Sequence, residues 1–147
     1  MSEETISQRI SRPTIFLIEE DDDVRPNLTA NLRKHGYRVL VAADLEDAHE
    51  WINVEIPVHA DLVLINLVHR TPEESLRRGR ELRDHAKYDG HTPLVVMPEK
   101  VPVELEGKDE KVGENDWICY FDEDSDQLQT LLARLLNASG YATDWLR

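Results

Sequence analysis

Five consecutive carboxylates, Glu19, Glu20, Asp21, Asp22 and Asp23, are the densest concentration of one chemistry in the sequence. Clusters of oxygen ligands suit a hard divalent cation, which takes about six of them. The same run also reads as a solvated turn whose anions favour the start of the helix that follows. In either case crowded carboxylates repel one another and need counter-charge. Other chemistries are poorly supplied. The six histidines lack the i, i+4 spacing of a metal-binding helix, and neither a Gly-rich phosphate loop nor a Ser-His-acid or zinc-histidine pattern is present. Cys119 is the lone cysteine, which excludes an internal disulfide. It falls inside an apolar run and reads as a small buried residue rather than a nucleophile.

The elements that must position these groups follow from the apolar pattern. Thr14 to Ile18 is a short run of strand formers, and the acidic cluster follows it directly. Val24, Leu28 and Leu32 then recur at helical spacing until Gly36, with Pro26 tolerable in the first turn. Tyr37 to Ala42 reads as a strand, and Asp44 caps a helix whose inward face is expected to hold Leu45, Ala48, Trp51 and Ile52. Asp61 to Ile65 is a third strand. Thr71-Pro-Glu-Glu74 opens a helix running to about Tyr88, with a cap, a proline at the first position and Glu74 three residues on. Pro93 to Met97 and Trp117 to Phe121 are the fourth and fifth strands, with Trp51 and Trp117 expected in packing roles. Leu128, Leu131, Leu132, Leu135 and Leu136 mark a final helix capped near Ser125 or Asp126. Strands alternating with helices predict a doubly wound α/β domain with a parallel sheet. Residues 98–115 break the pattern with two prolines, two glycines and a period nearer two than 3.6, so no regular fourth helix is expected there.

At 147 residues the chain fits one domain: a leader over 1–12, a body over 13–138 and a tail over 139–147 that carries Tyr141 and Trp145. Apolar residues make up 40% and charged residues 32%, and no apolar run reaches the roughly 18 residues of a membrane span. With an acidic, polar N-terminus in place of a secretory signal, the protein reads as cytoplasmic. A net charge of −13 repels nucleic acid and anionic membranes, so neither is an expected partner. Arg77, Arg78, Arg80 and Arg83 share one helix with Glu73, Glu74, Glu81 and Asp84 and read as a solvated face of ion pairs.

In an open parallel sheet the ligand site lies at the carboxyl ends of the strands. Those positions are Glu19 and Glu20, Asn66, Pro98 and Tyr120, with His69 near the same mouth as a lone surface histidine. Over residues 14–138 the sequence resembles the receiver domains of response regulators in two-component signalling. The likeness lies in Ile18 to Arg25 (IEEDDDVR) with its helix up to Gly36 and Tyr37, in Asp61 to Leu67 (DLVLINL), and in Thr92 to Met97 (TPLVVM).

The resemblance implies a flavodoxin-like fold, five parallel strands in the order 2-1-3-4-5. It also implies a pocket where two acids and an aspartate hold Mg²⁺ and the aspartate accepts a phosphoryl group. Here Glu19 and Glu20 keep the acidic pair, but Asn66 replaces the acceptor, and a neutral amide is no nucleophile. Asn66 ligates a metal weakly at best, so no cofactor is required, and Mg²⁺ or another divalent cation at Glu19, Glu20 and Asn66 would bind weakly. Pro98 stands for the hydroxyl residue after the fourth strand and Tyr120 for the lysine after the fifth. The implied function is a receiver that acts by protein contacts independent of phosphorylation, not an enzyme, with a histidine kinase or downstream effector as partner and homodimerisation also open to it. No effector segment follows, so output is expected through that partner. The expected contact surface, remodelled by the irregular segment, includes Val103, Leu105, Val112 and Tyr120. The alternative is a phosphorelay receiver using a substitute aspartate, Asp61 or one of Asp21 to Asp23.

Overall fold

Successive residues of a strand face opposite sides of a sheet, and in this protein both sides are apolar. The computed structural model describes residues 12–53, 59–88 and 91–138. Six strands form one sheet: β1 (Thr14–Glu19), β2 (Arg38–Ala42), β3 (Leu62–Asn66), β4 (Leu94–Val96), β5 (Asp109–Lys111) and β6 (Asp116–Cys119). Four helices cover it: α1 (Arg25–Lys34), α2 (Leu45–Ile52), α3 (Pro72–His85) and α4 (Gln127–Ala138). The strand order is β2-β1-β3-β4-β6-β5, parallel throughout except for β5, which runs antiparallel to β6.

Alternation divides the interior in two. Ile15, Leu17, Leu62, Leu64, Val95 and Cys119 pack with Leu32 of α1 and with Leu128, Leu131, Leu132, Leu135 and Leu136 of α4. Phe16, Ile18, Val63, Ile65, Leu94, Val96 and Ile118 face the other way, toward Ala48 of α2 and Leu76 and Leu82 of α3. This is the doubly wound α/β architecture, with α1 and α4 on one face and α2 and α3 on the other.

The helix starts obey local chemistry. Asp44 accepts the Asp47 amide at 2.7 Å, and Thr71 accepts the Glu74 amide at 3.1 Å. Gly36 ends the α1 region with φ of 94°, a left-handed value that favours glycine. At Gly79 the helix and sheet approach so closely that a Cβ would lie 2.7 Å from Leu94 Cδ1. No helix among the described residues is long and apolar enough to cross a membrane.

Three expectations need correction. The sheet has six strands, not five, because part of the irregular segment folds back as β5 on the outer edge of β6. The rest of that segment is irregular as expected, with no α-helix over 98–115 and a 3₁₀ turn at Val103–Leu105 before β5. Trp51 is 40% exposed, because Leu45, Ala48 and Ile52 fill the inward stripe of α2 and leave the indole on its flank. Finally, the arginines of α3 are not one solvated face. Arg77 and Arg78 do pair with Glu74 and Glu81 on the helix surface, but Arg80 and Arg83 reach across to the buried carboxylate of Asp116, each at 2.7 Å. Trp117 is half-buried against the α1/α4 layer, with the Arg134 guanidinium 5.2 Å from its ring centre. The leader over 1–11 and the tail with Tyr141 and Trp145 lie outside the described residues.

Candidate functional site

Parallel pairing of β1 with β3 sets Glu19 opposite Asn66, and the Glu20 amide donates to the Asn66 carbonyl at 3.1 Å. The carboxyl ends of the two central strands therefore meet at these residues. Glu19 is fully buried, and its carboxylate accepts from Asn66 Nδ2 at 3.0 Å and from the Asp21 amide at 3.3 Å. Burial pushes its pKa up, while those two hydrogen bonds act against the rise. Asn66 Oδ1 is buried without a partner.

The rest of the acidic run is satisfied from within. Asp21 Oδ1 accepts the amides of Asp23 (2.9 Å) and Val24 (3.3 Å) in a tight turn. The Arg25 guanidinium spans this turn, with Nη1 donating to the Glu19 carbonyl at 2.9 Å and Nη2 meeting Asp22 at 2.6 Å. Glu20 points to the loop after β3, where its Oε1 accepts the Val68 amide at 2.9 Å and Arg70 Nη1 at 3.3 Å. Of the expected metal set, the fold thus brings Glu19 and Asn66 together and holds Glu20 elsewhere. A divalent cation does not fit this donor arrangement. It needs several oxygens around one point, whereas one Glu19 oxygen faces an amide N–H and Glu20 is tied to a guanidinium. Among the described residues no group of three histidine, cysteine or carboxylate side chains is arranged to hold a metal ion.

Above the strand ends opens a cleft of about 680 Å³, lined by Glu19, Asn66, Met97, Pro98 and Phe121 with Asp21, Asp23, Glu99, Glu123 and Asp126 around it. Its lining includes no lysine or arginine. A phosphoryl group entering there would meet carboxylates and no fixed cation, the reverse of what phosphoryl transfer requires.

Pro98 is at the expected place, half-buried in the cleft wall, with neither an N–H nor a side-chain donor to offer. Tyr120 is not among the lining residues. Strand alternation turns its ring into the α2/α3 layer, where it is 7% exposed and its hydroxyl donates to Glu110 at 3.3 Å. Tyr120 is therefore an interior residue and not part of an exposed contact surface. Of the four contact residues expected there, Leu105 and Val112 pack partly on that same layer and Val103 alone is largely free, at 85% exposure.

His69 is exposed, in a left-handed conformation (φ 58°), and its amide donates to Glu99 at 2.7 Å. Asp61 lies at the amino end of β3, its carboxylate accepting the Thr14 amide at 2.7 Å, at the far end of the sheet from Asn66. The Cys119 thiol is buried and its pKa pushed up to about 12, first by burial and then by Asp109, which leaves it inert. Sequence reasoning missed Glu99 and Phe121 as cleft residues, and Arg25 and Arg70 as the cations that hold the acidic turn. Arg70 carried only one signal, a cation four residues past Asn66.

The fold is that of the flavodoxin-like, doubly wound class with the receiver topology. Solved structures agree. A response regulator receiver protein from Sinorhizobium medicae superimposes with a TM-score of 0.64 at 19% identity, covering 88% of this chain and 98% of that one. A response regulator from Thermotoga maritima gives 0.60 at 20% identity over 86% and 98% of the two chains. The response regulator protein TrrA from the same organism, in complex with Mg²⁺-BeF, gives 0.57 at 16% identity over 84% and 98%. At these identities the likeness establishes the fold. No family model matches the sequence, and no curated protein does.

Proposed function

We propose that this chain is a receiver-type signalling module whose output runs through protein contacts without phosphorylation. The observation that carries the reading is the pairing at the strand ends. Where a receiver's acceptor carboxylate would stand, Asn66 presents an amide, and that amide is spent on the buried Glu19. The cleft without cations, the donor-free Pro98 and the inward Tyr120 support it from three other strand ends and loops. The partner is a signalling protein, a kinase or an effector, and the remodelled segment around Val103 is the surface on which contact is expected.

Receivers that switch do so when the pocket is loaded, so the test is whether this one responds. The ¹⁵N–¹H spectrum of the full chain, recorded with Mg²⁺ and beryllofluoride, is expected to superimpose on that of the untreated protein. Shifts spreading from the β3 and β4 ends to β6 would overturn the proposal.

A further inference from the structure

We infer that Arg70 supplies, from within the chain, the positive charge that a divalent cation brings to a metal-binding receiver pocket. This rests on reading the pocket as receiver-derived. Its guanidinium lies 3.3 Å from Glu20 Oε1, which also accepts the Val68 amide at 2.9 Å. One carboxylate oxygen thereby ties the turn after β1 to the loop after β3, across 48 to 50 residues of sequence. A metal held by acids after the first strand and a residue after the third would make the same tie.

Two further features fit. The pair is sheltered, with 29% of the Arg70 side chain and 16% of the Glu20 side chain exposed, so its attraction is less screened than that of a surface ion pair. On the other flank Arg25 neutralises Asp22 and binds the Glu19 carbonyl. The acidic turn thus already has a cation on each side. A divalent ion drawing on Glu20 has to displace Arg70 and overcome its repulsion. The charge is carried by the chain itself, so the tie does not depend on metal supply. The pocket is held in one state by its own sequence.

The experiment is a Mn²⁺ titration of the full-length protein followed by electron paramagnetic resonance, together with thermal melts in the presence and absence of Mg²⁺. Wild type is expected to show no saturable Mn²⁺ binding below about 1 mM and no Mg²⁺-dependent change in melting, because Glu20 is already paired. Arg70→Gln is expected to bind Mn²⁺ at least about tenfold more tightly and to gain a Mg²⁺-dependent rise in Tm, since a carboxylate is released and a repelling charge removed. Arg70→Lys keeps the charge and is expected to behave as wild type. Sub-millimolar Mn²⁺ binding by wild type, or no gain in a folded Arg70→Gln protein, overturns the inference. Should Arg70→Gln not fold, the wild-type Glu20 carboxylate ¹³C resonance decides. It is expected to ignore added Mg²⁺, and a Mg²⁺-dependent shift overturns the inference. Tight Mn²⁺ binding without phosphorylation would sink the role of Arg70 and leave the phosphate-independent reading standing, whereas phosphorylation of the chain would do the opposite.

Discussion

Asn66 donates its side-chain amide to the buried carboxylate of Glu19 across 3.0 Å, joining the carboxyl end of β3 to that of β1. Asn66→Asp replaces that donor with a second carboxylate against a group whose pKa burial has already raised. The two acids can then keep only one charge comfortably, so the pair's folded-state pKa rises above its unfolded value. A raised carboxyl pKa gives stability that is present at acid pH and lost as pH rises through the folded value. The variant is therefore expected to be less stable than wild type at pH 7.5, by on the order of 2 kcal/mol, and to recover much of the loss near pH 5. Urea unfolding at the two pH values checks this; an equal deficit at both would count against it.

Asp116 anchors the far end of the sheet, where Arg80 Nε and Arg83 Nη1 both lie 2.7 Å from its carboxylate. Its side chain is only 6% exposed, so Asp116→Ala leaves two guanidinium groups facing a partly buried void. The expected loss is about 3 kcal/mol, with a smaller effect for Arg80→Ala because Arg80 is the more exposed partner. A double-mutant cycle between Asp116 and Arg83 measures the coupling; a cycle summing to zero would show the pair to be idle.

The strand cores were legible because Ile, Val and Leu runs fit no amphipathic helix, and the caps at Asp44 and Thr71 because a capping side chain acts on an amide three residues away. Both are local facts. The pairing of Glu20 with Arg70 and of Asp116 with Arg83 is not local, and an arginine beside glutamates on a helix looks equally content with them. Strand β5 was hidden for a different reason. Its residues, Asp109, Glu110 and Lys111, have no apolar alternation, since an edge strand can hold its place through backbone pairing to β6 and uses charge to discourage further pairing. Tyr120 was placed at the right strand end but assigned to an exposed surface, because one residue's difference in register decides between cleft and interior.

His49 of α2 and His85 of α3 meet Nδ1 to Nδ1 at 2.7 Å. Their ring centres are 4.9 Å apart and their planes 29° from parallel. That separation is close to the contact distance plus two ring radii, so the rings meet edge to edge with one proton between them. Burial first, and then the charge of His85, lowers the His49 pKa, with Glu81 opposing. A lowered histidine pKa gives stability that is present above the unfolded value near 6.5 and lost as pH falls through the folded one. In ¹H NMR titrations His49 is expected to titrate below 6.5 and to move upward in His85→Asn. Titration at or above 6.5 in wild type would remove the basis for this coupling.

The central claim is that Asn66 and its surroundings have taken phosphate out of the mechanism. Incubation of the full chain with acetyl phosphate and Mg²⁺, followed by intact mass measurement, tests it most directly. The account predicts an unchanged mass for wild type, and at most partial labelling of the triple variant Asn66→Asp, Pro98→Thr, Tyr120→Lys, because Tyr120 faces the interior and the segment after Pro98 forms a 3₁₀ turn and β5 with no α-helix. A stoichiometric phosphoryl adduct on the wild-type protein, mapped to Asp21, Asp22, Asp23 or Asp61, would contradict it.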